Sequence, residues 1–276
     1  MRQQFSVLMS LYIKERPEYA RACFESLLNQ TVLPNEWVIV EDGPLTDELY
    51  SLLDEYEKKC PGLIKRVPLK VNRGLGLALR EGVLHCTYEL IARMDTDDIA
   101  REDRFEKQLG AFESDENLDI CGSHIKEFVT STNEITAIRK VPLLDADIKK
   151  YQKRRDGFNH VTVMFKKDAV LKAGNYQHAL LMEDTILWIN MILNGAFCMN
   201  IDDYLVFVRT GKDMYERRGG FDYYKKYKVG RKMVYDTGYI SWWDYKITLI
   251  IQFIVAMVPN SVRKFIFKKI LRSKSK

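Results

Sequence analysis

Three carboxylates crowd into four positions at Asp95-Thr96-Asp97-Asp98, directly behind the apolar run 90–94. Like charges this close raise one another's proton affinity unless a cation neutralises them. Hard oxygen donors of this kind suit Mg2+ or Mn2+, ions that commonly also hold substrate phosphates. A solvated acidic turn capping the next helix accounts for the same spacing equally well. A second acidic pair, Glu183-Asp184, is set in the otherwise apolar LLMEDTILWINMIL. It either caps a helix and favours its dipole, or supplies a general base whose proton affinity is raised by greasy surroundings. Asp42, followed by Gly43, is a turn-former or a carboxylate that accepts a hydrogen bond from a base or ribose. Asn72-Arg73-Gly74-Leu75-Gly76 could aim backbone N–H groups and one cation at a phosphate or base, but lacks the full spacing of the dinucleotide and P-loop patterns. His160 is a structural histidine or a substrate contact. Arg209, Arg217 and Arg218, with Gly219-Gly220, form a basic stretch that either grips a diphosphate or stays solvated.

These residues need a scaffold, and the hydrophobic periodicity supplies one. The segments 5–10 and 37–40 read as buried strands, with helical spacing over 17–30 between them, which makes a β-α-β unit. Helix over 47–58, strand over 63–68, helix over 76–85 and strand over 89–94 continue the alternation. Beyond these, 104–112 and 184–193 read as helices, and 119–128 and 159–165 as strands. Strands alternating with helices imply an open, doubly wound α/β sheet, which binds ligands at the carboxyl ends of its strands. Three polar clusters fall there: residues 10–12, Glu41-Asp42-Gly43 and residues 95–98.

With 276 residues, 46% of them hydrophobic and 29% charged, the chain has the composition of an ordinary globular protein able to bury a full core. Its five cysteines include no C-x-x-C pair, which speaks against a disulfide framework or a zinc site and for reduced thiols. The N-terminal apolar run is short for a signal peptide and reads as the first strand. The longest apolar stretch, 247–258, is about half of the roughly 20 residues a spanning helix needs. Charge is uneven: thirteen Lys or Arg face two Asp from Lys225 onward, against +5 overall, so the body before this tail is acidic. Such a tail calls for an anionic partner, nucleic acid or anionic lipid.

Together the stretches FSVLMSLYIKE, SLLNQT, WVIVEDGP, NRGLGLAL, ARMDTDDI, NHVTVMFKKDAVLKAGNY and MEDTILWINMILNG resemble, in order, the family 2 glycosyltransferases of the GT-A fold, especially bacterial enzymes of capsule and O-antigen assembly. The resemblance implies a mixed, mainly parallel sheet flanked by helices, with a basic C-terminal helical extension. Residues 1–100 would bind the nucleotide-sugar, 101–210 the acceptor, and 211–276 would form the basic region. It further implies that Ser10, Tyr12 and Asp42 border the uracil and ribose of a UDP-sugar and that Arg73 approaches the base or phosphates. Asp95 would be the ribose- or metal-side member of the D-x-D motif, with Asp97 and Asp98 on Mn2+ or Mg2+. Asp184 matches the general base of an inverting transfer, and Glu183, His160, Arg217 and Arg218 lie toward the acceptor or diphosphate.

Glu41 stands where the family more often has Asp, and no Q-x-x-R-W motif of processive synthases is present, so transfer of a single sugar is expected. Trp242-Trp243, the apolar run and the basic SVRKFIFKKILRSKSK suggest interfacial helices. They would bring a cytoplasmic enzyme to the inner face of the cell membrane, where a polyprenyl-diphosphate-linked glycan is the acceptor. A chain cut near Asp236 should then lose the membrane. Two rival classes stand beside this one. A nucleotidyltransferase also uses acids, metal and an α/β sheet, but SLYIKERPEY lacks the glycine-rich loop expected after its first strand. A nucleic-acid-binding protein explains the tail but not the acids at three strand ends, and no nucleic-acid motif is present.

Overall fold

The computed structural model describes residues 3–211, 216 and 218–269. Nine strands form one sheet in the order β3-β2-β1-β4-β8-β6-β9-β5, with β7 on β6. Its parallel half holds β1 (Phe5–Leu11), β2 (Glu36–Glu41), β3 (Ile64–Pro68) and β4 (Leu90–Arg93). The crossovers are α1 (Pro17–Leu28), α2 (Asp47–Lys59) and α3 (Leu75–His85). Local signals set their ends: Pro17 opens α1, and the Thr46 hydroxyl accepts from Leu49 N–H at the mouth of α2.

Side chains alternate across this half as the pleat requires. Val7, Met9, Trp37, Ile39, Leu90 and Ala92 enter one core, against α1, α2 and α4 (Arg104–Ser114). Leu8, Val38, Val40 and Ile91 enter the other, under α3, α6 (Lys167–Lys172) and α7 (Glu183–Leu193). Both faces are covered, so the strand centres 7–9, 37–40 and 90–92 are continuously apolar, and each fully buried large side chain contributes about 1.5–3 kcal/mol.

The second half is mixed. β8 (Met164–Lys166) runs antiparallel to both β4 and β6 (Leu118–Phe128), while β9 (Phe197–Arg209) runs parallel to β6. β5 (Ile99–Ala100) and β7 (Ile135–Arg139) are antiparallel additions, and α5 (Asp145–Gln152) follows β7. One expectation fails here. Residues 159–165 are not a single strand: His160–Thr162 form a 3-10 turn before the three-residue β8. Side chains take over the backbone bonding. The Thr162 hydroxyl donates to Asn159 O at 2.8 Å and accepts from Ser123 N–H at 2.9 Å, and Asn159 Nδ2 donates to Ser123 O at 2.7 Å.

Outside the sheet lie α8 (Phe221–Asp236), α9 (Trp242–Met257), opened by a Ser241/Asp244 capping box, and α10 (Asn260–Lys269). Val234, Tyr245 and Leu249 pack on Ile186 and Ile189 of α7 in a third core. The C-terminal helices thus brace the helix that begins with Glu183-Asp184. No helix among the described residues is long and apolar enough to cross a membrane.

Candidate active site

The acidic turn follows β4. Because Ile91 faces the α7 side, Arg93 does too, and Asp95 comes off the strand end beside it. Asp95, Asp97 and Asp98 each offer a carboxylate oxygen within 4.8 Å of the others. Arg209, the last residue of β9, fixes the turn. Its N–H donates to Asp98 Oδ1 at 2.8 Å and its Nε to Asp97 O at 3.0 Å, while its guanidinium lies 4.0 Å from the Tyr19 ring centroid. Arg209 therefore belongs to the acidic turn rather than to a solvated basic loop.

Burial, with Asp95 and Glu15 nearby, pushes the Asp97 carboxyl up to about 7. Burial, with Asp97 and Asp95, raises Asp98 well above the usual range. Acids that cost this much to ionise together form a cradle that a divalent cation would neutralise, and its donors are all hard oxygens. The residues fit Mg2+ or Mn2+.

Asp42 is buried just past β2, and both its oxygens are used. Oδ1 accepts from Arg73 N–H at 2.6 Å and Oδ2 from Gly74 N–H at 3.0 Å. Its first role is thus to fold the 72–74 loop. Gly43 makes room for it: at φ +85°, any Cβ there would lie 2.6 Å from Asn72 N. Arg73 itself is exposed. Ser10 is the penultimate residue of β1 and Tyr12 lies just past the strand, half-open to solvent, at the same carboxyl edge of the sheet as Asp42 and Asp95.

The second acidic pair opens α7, on the face of the sheet that Arg93 also faces. Gly76, in the first turn of α3, packs so closely on α7 that an added Cβ would lie 3.0 Å from both Glu183 Cβ and Gln177 O. Glycine here lets the 72–74 loop and the start of α7 meet. Asp184 Oδ1 accepts from Thr185 N–H at 2.7 Å. Burial first, then Asp156 and Glu183, raises its carboxyl to about 7; burial likewise raises Glu183. His160 Nε2 meets the Tyr176 hydroxyl at 2.9 Å, and burial with the nearby Arg93 charge holds the imidazole neutral. Arg218 lies just before α8, where its charge acts on Tyr223, and Arg217 is outside the described residues.

Sequence reasoning missed Arg93, Glu15 and Tyr176. Arg93 is 1% exposed and hydrogen-bonded to Asp95, yet its Nε and Nη1 have no partner. It is a fixed cation under the cleft, felt by Asp98, Glu183, His160 and Tyr176. An arginine inside an apolar run before acids was the signal available. Glu15 accepts from the Thr96 hydroxyl at 2.8 Å and adds a fourth carboxylate. Tyr176 responds to Asp184, Asp95 and Glu183 alike, so the two acidic groups share one electrostatic neighbourhood.

An α/β sheet with an acidic cation cradle at one strand end and a half-buried acidic pair in the same electrostatic neighbourhood is an arrangement suited to a nucleotide-dependent transferase. The comparisons narrow that class. The family model "Glycosyl transferase family 2" matches residues 6–174, and the chain belongs to this family. It is 38% identical over 269 residues to the amylovoran biosynthesis glycosyltransferase AmsE of Erwinia amylovora, covering 96% of this chain and 98% of that one. It is 37% identical to the Escherichia coli UDP-Gal:alpha-D-GlcNAc-diphosphoundecaprenol beta-1,3-galactosyltransferase, covering 98% and 97%. An uncharacterized glycosyltransferase of Haemophilus influenzae is 42% identical, covering 98% and 99%.

Among solved structures, the Pyrobaculum calidifontis mannosyltransferase PcManGT with GDP-Man and Mn2+ superposes with a TM-score of 0.65 at 14% identity, covering 95% of this chain and 72% of that one. S. aureus TarS with UDP-GlcNAc gives 0.63 at 15%, covering 94% and 69%. The fold is therefore GT-A, and the protein is a glycosyltransferase.

Proposed function

We propose that this enzyme transfers one sugar from a UDP-sugar, with inversion, to a hydroxyl of a polyprenyl-diphosphate-linked glycan in the assembly of a bacterial surface polysaccharide. The observation that carries the reading is the meeting of two acidic groups. The buried Arg93 guanidinium interacts with Asp95 and Asp98 of the acidic turn and with Glu183 in the first turn of α7, so a group suited to a cation and one suited to a proton share its neighbourhood. The E. coli relative, named for a UDP-galactose donor and a diphosphoundecaprenol-linked GlcNAc acceptor, supports the substrate class.

In this mechanism Ser10, Tyr12 and the loop folded by Asp42 border the nucleoside, and Arg73 stands at the phosphates. Asp95, Asp97 and Asp98 hold the cation, which when bound neutralises charge on the diphosphate. Asp184 takes the proton of the acceptor hydroxyl as that oxygen bonds to the anomeric carbon. The bond from that carbon to the diphosphate oxygen breaks on the opposite face, and UDP leaves with the electron pair. We assign His160, Glu183 and Arg218 to the acceptor or its diphosphate. Arg93 keeps Asp95 turned toward the cradle.

The acceptor reaches the enzyme at a membrane surface in this reading. α9 buries Tyr245, Thr248 and Leu249, yet leaves Trp243 68%, Ile250 60% and Ile254 53% exposed on its other side. An apolar face beside lysines of α8 and α10 suits an anionic bilayer. Truncation near Asp236 is not a clean test of this, because it would remove Tyr245 and Leu249 from the third core.

The decisive experiment offers purified protein a panel of nucleotide-sugars with Mn2+ or Mg2+ and GlcNAc-diphosphoundecaprenol, scoring nucleotide release and product anomericity. One UDP-sugar should be consumed metal-dependently with inversion. Asp184→Asn should lose turnover by about 10²–10⁴-fold while still binding UDP. Turnover retained in that variant, or a retained anomeric configuration, would remove the mechanism.

A further inference from the structure

We propose that Asp156 is a positioning residue for the base, joined to Asp184 through the Thr185 hydroxyl in a carboxylate–hydroxyl–carboxylate chain. The inference rests on Asp184 being the base. Asp156 lies in the turn after α5, far from Asp184 in sequence, and the fold fixes it there. Gly157 N–H donates to Gln152 Oε1 at 2.7 Å, and Arg139 Nη2 to Asp156 O at 3.1 Å. A Cβ on Gly157 would lie 3.0 Å from Ile148 Cγ2, so glycine spares the turn a tight contact. Asp156 thereby meets the first turn of α7.

Thr185 is buried, and its hydroxyl donates to Asp156 Oδ1 while standing 3.5 Å from Asp184 Oδ1. The hydroxyl is thus bonded to Asp156 and stands at the outer limit of hydrogen-bonding distance from Asp184. The Asp156 charge, brought this close, disfavours the ionised form of Asp184, which therefore holds its proton more tightly.

The other charges around the pair are accounted for. Glu183 adjoins Asp184 on α7 and raises it further, whereas Arg139 of β7 opposes that effect. Tyr176, from the segment before α7, also feels Asp184. On the α8 side Asp156 acts on Tyr223, Tyr227 and Arg231, and Arg218 acts on Tyr223. Arg231 is the buried cation among these, and it is committed to Lys153 O and Thr248 Oγ1. Asp156 is the first of the neighbouring charges acting on Asp184. It tunes the base so that it accepts a proton near neutral pH, where a catalytic base is most effective.

The test uses full-length protein labelled with 13Cγ-aspartate, with the Asp184 resonance assigned by its loss in Asp184→Asn. Its titration should centre near 7 in the native chain. Asp156→Asn removes the repelling charge but keeps an oxygen for the Thr185 hydroxyl, and should lower the midpoint by about one unit. Thr185→Val removes that hydroxyl and should raise it by roughly half a unit. These opposite shifts distinguish the chain from a general structural role, which would move stability without ordering the midpoints. A midpoint within about 0.2 of native in either folded variant overturns the proposal. If Asp156→Asn does not fold, the alkaline shift of Thr185→Val decides alone. Should Asp184→Asn retain glycosyl transfer while the titrations move as expected, the base assignment fails and the coupling stands.

Discussion

Gly76 is where the two halves of the site touch, and Gly76→Ala probes that contact with one carbon. The new Cβ would sit 3.0 Å from Glu183 Cβ and from Gln177 O, so the start of α7 must retreat by a few tenths of an ångström. Two opposing energies follow. Alanine in place of glycine favours a helix by about 1 kcal/mol, and overpacking a filled contact costs about 1–3 kcal/mol. The net loss is therefore about 0–2 kcal/mol.

Gly110→Ala calibrates the first of these energies, because Gly110 lies exposed in α4 with nothing within 4 Å of its would-be Cβ. It should gain close to the full propensity difference. Misplacing a reacting group by about 1 Å costs on the order of 100-fold, so a few tenths should lower kcat by roughly 3–10-fold. Donor KM should change less, since of the residues proposed to hold the nucleotide only Arg73 adjoins α3, the others standing at or just past the ends of β1, β2 and β4. Urea unfolding of both variants with steady-state kinetics makes the measurement. If Gly76→Ala gains as much stability as Gly110→Ala and keeps native kcat, α7 does not bear on α3 as described and the shared cleft is wrong.

Three further outcomes are expected. Asp97→Ala should abolish the Mn2+-dependent part of UDP binding, read by calorimetry with and without the ion; unchanged affinity would move the cation elsewhere. Between the ordinary aspartate value of 3.8 and the folded value of about 7 for Asp184, the folded protein holds a proton that the unfolded chain has released. Stability from this group therefore falls as pH rises through that window. Asp184→Asn should then be more stable than the native chain at pH 8 by on the order of 1–3 kcal/mol, with the difference vanishing below about pH 4; a constant difference would contradict the buried, costly carboxylate. Replacing Trp243 and Ile250 together with Asn should release the protein from vesicles containing anionic lipid without lowering its melting temperature, since both side chains are exposed. Binding that persists would place the lipid contact on another surface.

Residues 5–94 were legible because each step there is local. Strands buried on both faces must be continuously apolar, the helices between them carry a 3.6-residue period, and strand ends are where polar clusters become visible. The acids 95–98 and the pair 183–184 were named for the same reason: carboxylates in greasy runs are costly and stand out. The second half resisted. β9 was not anticipated, because Asp202-Asp203 interrupts its apolar pattern; only in the fold does Asp203 find Arg101 and Lys107, more than ninety residues away. The turn at His160 looked like a strand until Asn159 and Thr162 were seen to bond Ser123.

What the sequence by itself determined is the family of the fold, and it singled out the acids of 95–98 and 183–184 as candidates. Only the tertiary structure decided what surrounds them: Arg93 beneath Asp95, Arg209 clamping the acidic turn, Asp42 spent on a loop, and Asp156 beside Asp184. Periodicity reports which face of an element is buried, whereas the charge felt by a carboxylate comes from residues far along the chain that only folding brings near.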